Sequence, residues 1–296
     1  MCFSLGNLAA DGELCADTLV ANGILHPLLS LLSPYHANNP RLVQAALFVI
    51  WCLVRQPKHI EALFSDANFA PNLMAHLNSL HAPVAGEAAY VCVRLAADTI
   101  SSRRLYNAGI AGLLAARLKE LLENTALRDA AAVPLVRFLG HVTGGIDCEV
   151  WTDALIGGKV FPQPAFSMTN DKFLKLLRGA ISLRETTLAK LLWSGLGDVA
   201  GQHALLKETL WAVSNLVAGT DSQASLMVEG GILLPLCAAI AVQDAAVRVE
   251  AGYAVLNIAV RGKEFMDQAV HAGAVESAHL CLCAFWRLIA NGTRIH

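Results

Sequence analysis

A repeat of about 42 residues limits what this chain can fold into more than any other feature of its sequence. Residues 207–219, KETLWAVSNLVAG, align with 249–262, VEAGYAVLNIAVRG, and each is followed by a polar stretch that closes on a glycine, Gly231 and then Gly273. The same layout opens the chain, where FSLGNLAADG is followed by ADTLVANG, ending at Gly23, and by ILHPLLSLL. Gly109, in RRLYNAG, lies 86 residues past Gly23, close to two periods. Internal periodicity on this scale means that one supersecondary unit recurs and buries its apolar face only by stacking on its neighbours.

The expected unit is a short polar helix ended by a glycine in the left-handed conformation that other residues resist. An apolar helix, a turn and a longer amphipathic third helix follow. A period near 42 falls in the range of armadillo and HEAT arrays. Composition agrees: 55% hydrophobic and 16% charged residues, with mean hydropathy +0.49, suit helices covered on two sides. Strand signals are scarce, since Ala and Leu dominate and no Asn-Gly turn joins alternating runs.

A marker position in the third helix falls at Asn7, Cys52, Arg94, His141, Asn215 and Asn257, with spacings of 45, 42, 47, 74 and 42. The long spacing falls around 159–205, where FPQPAFSMTND interrupts the pattern and two further helices are expected, Lys172–Ser182 and Leu188–Leu196. We read this as an insertion or a degenerate unit within one continuous array over 1–296, of about six to seven units. Four residues before each marker stand Phe3, Phe48, Tyr90, Arg137, Trp211 and Tyr253, so a ring and a marker share a helix face in five of the six pairs. Three residues before the ring, Glu87, Glu208 and Glu250 recur. Aromatics at helical spacing are usually core. A repeated asparagine fits a core poorly, because a buried amide is costly without partners, so a partly exposed ladder is expected.

These pairs resemble importin α, the receptor for nuclear localisation signals. ETLWAVSNLVAG and EAGYAVLNIAV are similar to its seventh and eighth repeats, and FSLGNLAADGELCADTLVANG to the end of the third and start of the fourth. The likeness covers about four-fifths of the chain, leaving out 161–205. It implies an all-α, right-handed superhelical armadillo solenoid whose third helices line a concave groove. It further implies a peptide site of Phe3, Asn7, Asp11, Arg137, Glu208, Trp211, Asn215, Glu250, Tyr253 and Asn257. Asparagines would bind the peptide backbone, rings would flank lysine stems, and acids would meet ammonium groups. Cys52 and His141 stand where the family has asparagine. Implied partners are cargo proteins with basic segments, met in cytoplasm and nucleus. The family's basic N-terminal arm is not seen, so importin β is expected to bind weakly or not at all, and the chain resembles the middle and end of a longer solenoid. The alternative is an armadillo scaffold with a diverged groove and no transport role.

Other chemistries find less support. Gly195-x-Gly197-x-x-Ala200 satisfies a loose dinucleotide pattern but follows a helical segment, not a strand, so a helix-ending turn is expected. No H-E-x-x-H or G-x-S-x-G occurs, and no nucleophile or paired carboxylate accompanies His141, so no catalytic role or cofactor is expected. The eight cysteines are scattered through apolar segments and read as small reduced core residues. Cys281-x-Cys283 lacks the second pair that a zinc site needs, so no metal is expected. A net charge of −2 without a basic stripe argues against nucleic acid. The most apolar stretches, Ala45–Val54 and Leu280–Ala290, are too short or too interrupted for a membrane span, so no membrane is expected, and a membrane-associated relative using its apolar C-terminus is the weak alternative.

Overall fold

The computed structural model describes residues 2–121, 124–157, 199–229, 232–242 and 244–279, and every regular element among them is helical. After α1 (Cys2–Ala10), a three-helix unit recurs. It comprises α2 (Glu13–Ala21), α3 (Leu25–Leu31) and α4 (Pro40–Leu53), then α5 (Pro57–Phe64), α6 (Phe69–Leu77) and α7 (Ala82–Ala96), then α8 (Thr99–Asn107), α9 (Ile110–Glu120) and α10 (Thr125–Gly144). The next first helix is α11 (Cys148–Thr152), extended by a π turn (Asp153–Gly157), and the next third helix is α12 (Val199–Ala218). A further unit holds α13 (Asp221–Glu229), α14 (Leu233–Ile240) and α15 (Ala245–Ala259). It is followed by α16 (Lys263–His271) and a helical stretch over 274–279.

The glycines that end the first helices behave as the sequence requires. Gly23, Gly109 and Gly273 have φ of 81°, 87° and 91°, conformations an L side chain resists. At Gly23 the turn is a Schellman motif, with Ile24 N–H donating to Leu19 O at 3.2 Å and Gly23 N–H to Val20 O at 2.9 Å. Gly231 lies outside the described residues. Three third helices start at a capping side chain: the carbonyl oxygens of Asn39 and Asn124 and the carboxylate of Asp244 accept backbone N–H groups of the first turn.

The third helices stack in one row, α1, α4, α7, α10, α12 and α15, each packed against the next. One residue past the last five markers, Leu53, Leu95, Val142, Leu216 and Ile258 are no more than 2% exposed, whereas Leu8, past the first marker, is 46% exposed; full burial of such side chains contributes about 1.5–3 kcal/mol apiece. Polar side chains fix the stagger between units. His76 Nε2 meets Leu32 O at 2.8 Å and Arg117 donates to Ser79 O at 3.1 Å, so the second helices α6 and α9 each reach the turn of the unit before them. Lys58 pairs with Asp17, and Arg104 with Glu61, between successive first helices.

The row continues across the long spacing. Helix α10 packs directly on α12. Trp151 of α11 lies edge-on to Tyr106 and Phe138, with ring centroids 5.0 and 6.2 Å away, and Gln223 of α13 donates to Asp153 at 2.7 Å. The described helices on either side are therefore neighbours. The helices expected at Lys172–Ser182 and Leu188–Leu196, Gly195 and Gly197, Cys281-x-Cys283 and Leu280–Ala290 fall outside the described residues. Among the described residues no single helix is long and apolar enough to cross a membrane. Stacked three-helix units of this kind define an all-α armadillo-type superhelical solenoid.

Candidate functional site

The row of third helices carries the expected site residues, apart from Asp11, which follows the end of α1. They fall into two groups. Toward the start of the row the face is aromatic. Phe3, 50% exposed, lies 5.8 Å from Phe48; Phe48 stacks on Trp51 at 6.0 Å; and Trp51 meets Tyr90 edge-on at 6.2 Å. Asn7 and Asp11 are exposed beside Phe3 in sequence, whereas Cys52 is buried at 1% and its thiol is pushed up by desolvation. The amide place in that unit is thus lost from the face.

Toward the end of the row the expected residues converge. Trp211 of α12 lies on Gly140 of α10, where an added methyl would overlap the indole, and its ring is edge-on to His141 at 5.2 Å. Asn215 donates its amide to Gly140 O at 2.9 Å and lies against Gly144, so the Gly140–Gly144 pair, one turn apart, forms the floor for both side chains. One unit on, Asn257 repeats the arrangement, donating to Ser214 O at 3.2 Å and Ser214 Oγ at 3.1 Å. The cost of half-burying these amides is offset by bonds to the neighbouring helix. Among the described residues the Oδ1 of each has no protein donor. Tyr253 remains 58% exposed.

The charges differ from a simple acidic lining. Glu208 is held by Arg137 Nη2. Burial raises the Glu250 carboxyl above the usual range, with Lys207 opposing and Glu208 adding to the shift. Burial likewise raises Glu87, opposed by a hydrogen bond from Gln44. Burial, helped by Arg137 and Arg94, holds His141 below the ordinary histidine value, and Glu208 partly offsets this. Arg94 stands at an asparagine place with its guanidinium 5.7 Å over the Trp51 ring.

Sequence reasoning missed Trp51, Gly140 and Gly144. Trp51 lies three residues after Phe48, hence on the adjoining line of the same helix, and that spacing could have revealed it. The two glycines matter only because of what the next helix places on them. The face offers rings, amide oxygens and paired charges. Among the described residues no group of three His, Cys, Asp or Glu is placed to hold a metal ion.

The architecture has solved counterparts. An engineered protein from the Northeast Structural Genomics Consortium matches with a TM-score of 0.66 and 18% identity, over 86% of this chain and 89% of that chain. A designed armadillo repeat protein in complex with the peptide (KR)4 matches with a TM-score of 0.62 and 20% identity, over 86% and 89%. Computationally designed armadillo repeat proteins for modular peptide recognition match with a TM-score of 0.62 and 18% identity, over 86% and 91%. At these identities the likeness concerns the fold, which is that of armadillo-repeat proteins. No family model and no curated protein sequence matches the chain.

Proposed function

We propose that this chain is a non-enzymatic armadillo scaffold whose third-helix face holds an extended segment of a partner protein, mainly along α10, α12 and α15. The observation that carries this reading is the repetition of one device in successive units. Asn215 and Asn257 are each anchored by a backbone carbonyl of the preceding third helix, and each follows a ring, Trp211 or Tyr253, by one helical turn on the same face. Acceptors repeated at helix spacing suit an extended backbone, whose N–H groups point outward at regular intervals. One of the similar designed proteins is complexed with (KR)4, which makes an extended peptide a sensible first probe.

The narrower reading, a receptor for basic segments like importin α that works in nuclear import between cytoplasm and nucleus, draws its support from Glu250 beside Tyr253 and Asn257 in the ladder. It sits less easily with the Arg137–Glu208 pair and with buried Cys52. The scaffold reading requires neither the transport role nor a wholly basic ligand.

Calorimetric titration of the full chain with an alternating Lys-Arg octapeptide tests the site. Asn215→Ala is expected to weaken binding by about 1–2 kcal/mol, since peptide N–H groups lose an acceptor, and Trp211→Ala by about 2 kcal/mol or more. Unchanged affinity in both variants, with helical content intact, would remove this face from consideration.

A further inference from the structure

The middle of the row breaks the ring-and-asparagine pattern, and the break has a consistent sign. At α7 the marker is Arg94, and at α10 the ring position is Arg137. Arg94 is exposed, its guanidinium rests 5.7 Å above the Trp51 ring, and among the described residues no carboxylate pairs with it. The ring fixes the direction of the cation without neutralising it. Arg137 gives Nη2 to Glu208 and keeps further N–H donors. Arg94 thus leans toward Trp51 of α4 and Arg137 toward Glu208 of α12, so the face over α7 and α10 carries two guanidinium groups, of which Arg137 alone holds a carboxylate. Burial, and then the charges of Arg137 and Arg94, hold the His141 imidazole below its ordinary value. Basic residues of a ligand are repelled here, while the nearest acids toward the end of the row are Glu208 and Glu250.

We propose that this mid-row cationic stretch, Arg94 on its Trp51 platform and Arg137 one helix further along the row, receives an acidic side chain of the bound segment. The ligand then carries mixed charge, with a Glu or Asp over α7 and α10 and basic residues over α12 and α15. The inference rests on the peptide-holding reading above and specifies the ligand class. The spacing follows from packing. Neighbouring helices lie about 8–10 Å apart, so α7 and α12, two steps apart, are separated by about 16–20 Å. An extended chain covers about 3.3–3.6 Å per residue, which puts the acid about five residues from the nearest base. A carboxylate against the Arg94 guanidinium, whose direction the Trp51 ring fixes, gains charge-assisted hydrogen bonds that an amide of the same shape does not.

The test is fluorescence anisotropy on the full chain with three labelled peptides of equal length. Each has a Lys-Arg pair at one end and Glu, Gln or Lys five residues away. The Glu peptide is expected to bind about fivefold to tenfold tighter than the Gln peptide, and the Lys peptide weakest. Arg94→Glu is expected to reverse the order, with the Lys peptide then preferred over the Glu peptide. Because the comparison is between ligands, it does not depend on equal stability of the variants. Equal binding of the Glu and Gln peptides to the unaltered chain, or an unchanged order in Arg94→Glu, overturns the mid-row assignment. If such charge-blind binding is still lost in Trp211→Ala, the peptide-holding reading survives alone. Failure of all three peptides to bind the unaltered chain overturns both.

Discussion

Alanine placed at three helix-interior glycines, Gly252, Gly140 and Gly86, separates local propensity from packing between units. In an open helix Gly→Ala gains about 0.5–1 kcal/mol, because the more flexible glycine loses more entropy on folding. At Gly252 of α15 an added methyl meets nothing within 4 Å, so that gain should be realised in full. At Gly86 of α7 the methyl would overlap the backbone carbonyl oxygen of Ala130 in α10, and only movement of one helix can relieve it. Overpacking of this kind costs about 1–3 kcal/mol; set against a helix gain of about 1 kcal/mol, the net loss is about 2 kcal/mol for so rigid a neighbour. At Gly140 the obstacle is the Trp211 ring, which can tilt, so a net loss of about 1 kcal/mol is expected together with a displaced indole. Urea titration followed by circular dichroism measures the midpoints. Because solenoids lose cooperativity by segments, hydrogen exchange on α7, α12 and α15 locates each effect. Gly252→Ala should raise the midpoint, Gly86→Ala should lower it most, and Gly140→Ala should fall between and also weaken peptide binding. A Gly86→Ala protein as stable as Gly252→Ala would refute the reasoning, since it would mean that α7 and α10 do not cross closely at that point.

Asn257→Ala should lose about 1 kcal/mol of stability with its bonds to Ser214, measured by the same titration, whereas Leu233→Ala, which opens a cavity at a buried position, should lose about 2–5 kcal/mol. Glu87, with its carboxyl raised by burial, contributes stability that is present below the ordinary glutamate range and lost as pH rises through the raised value. Glu87→Gln should therefore be more stable than the unaltered chain at pH 7.5, and denaturation midpoints at pH 4 should show that advantage shrinking or gone. Binding of a basic peptide should weaken as salt rises from low to high, since the pairs with Glu208 and Glu250 are partly screened; salt-independent affinity in an anisotropy titration would argue against charge recognition there.

By itself the sequence determined the unit and its order. The period, the glycines that end the first helices and the capping residues before the third helices are local instructions. A left-handed turn at Gly23 or a cap at Asp244 needs no distant partner, so each could be located from neighbours in the chain alone. The alignment of Trp211 with Asn215, or Tyr253 with Asn257, follows in the same way from helical spacing. Tertiary structure decided how those aligned residues are used. That Asn215 spends its amide on Gly140 O, that Trp211 rests on a glycine, that Arg137 occupies Glu208 and that Arg94 lies on Trp51 all depend on the stagger between successive third helices. That stagger is set by summed packing over pairs 40 to 75 residues apart, which no single segment encodes. Intramolecular partners claim part of each side chain's capacity, and what remains for a ligand is fixed only when the units have stacked.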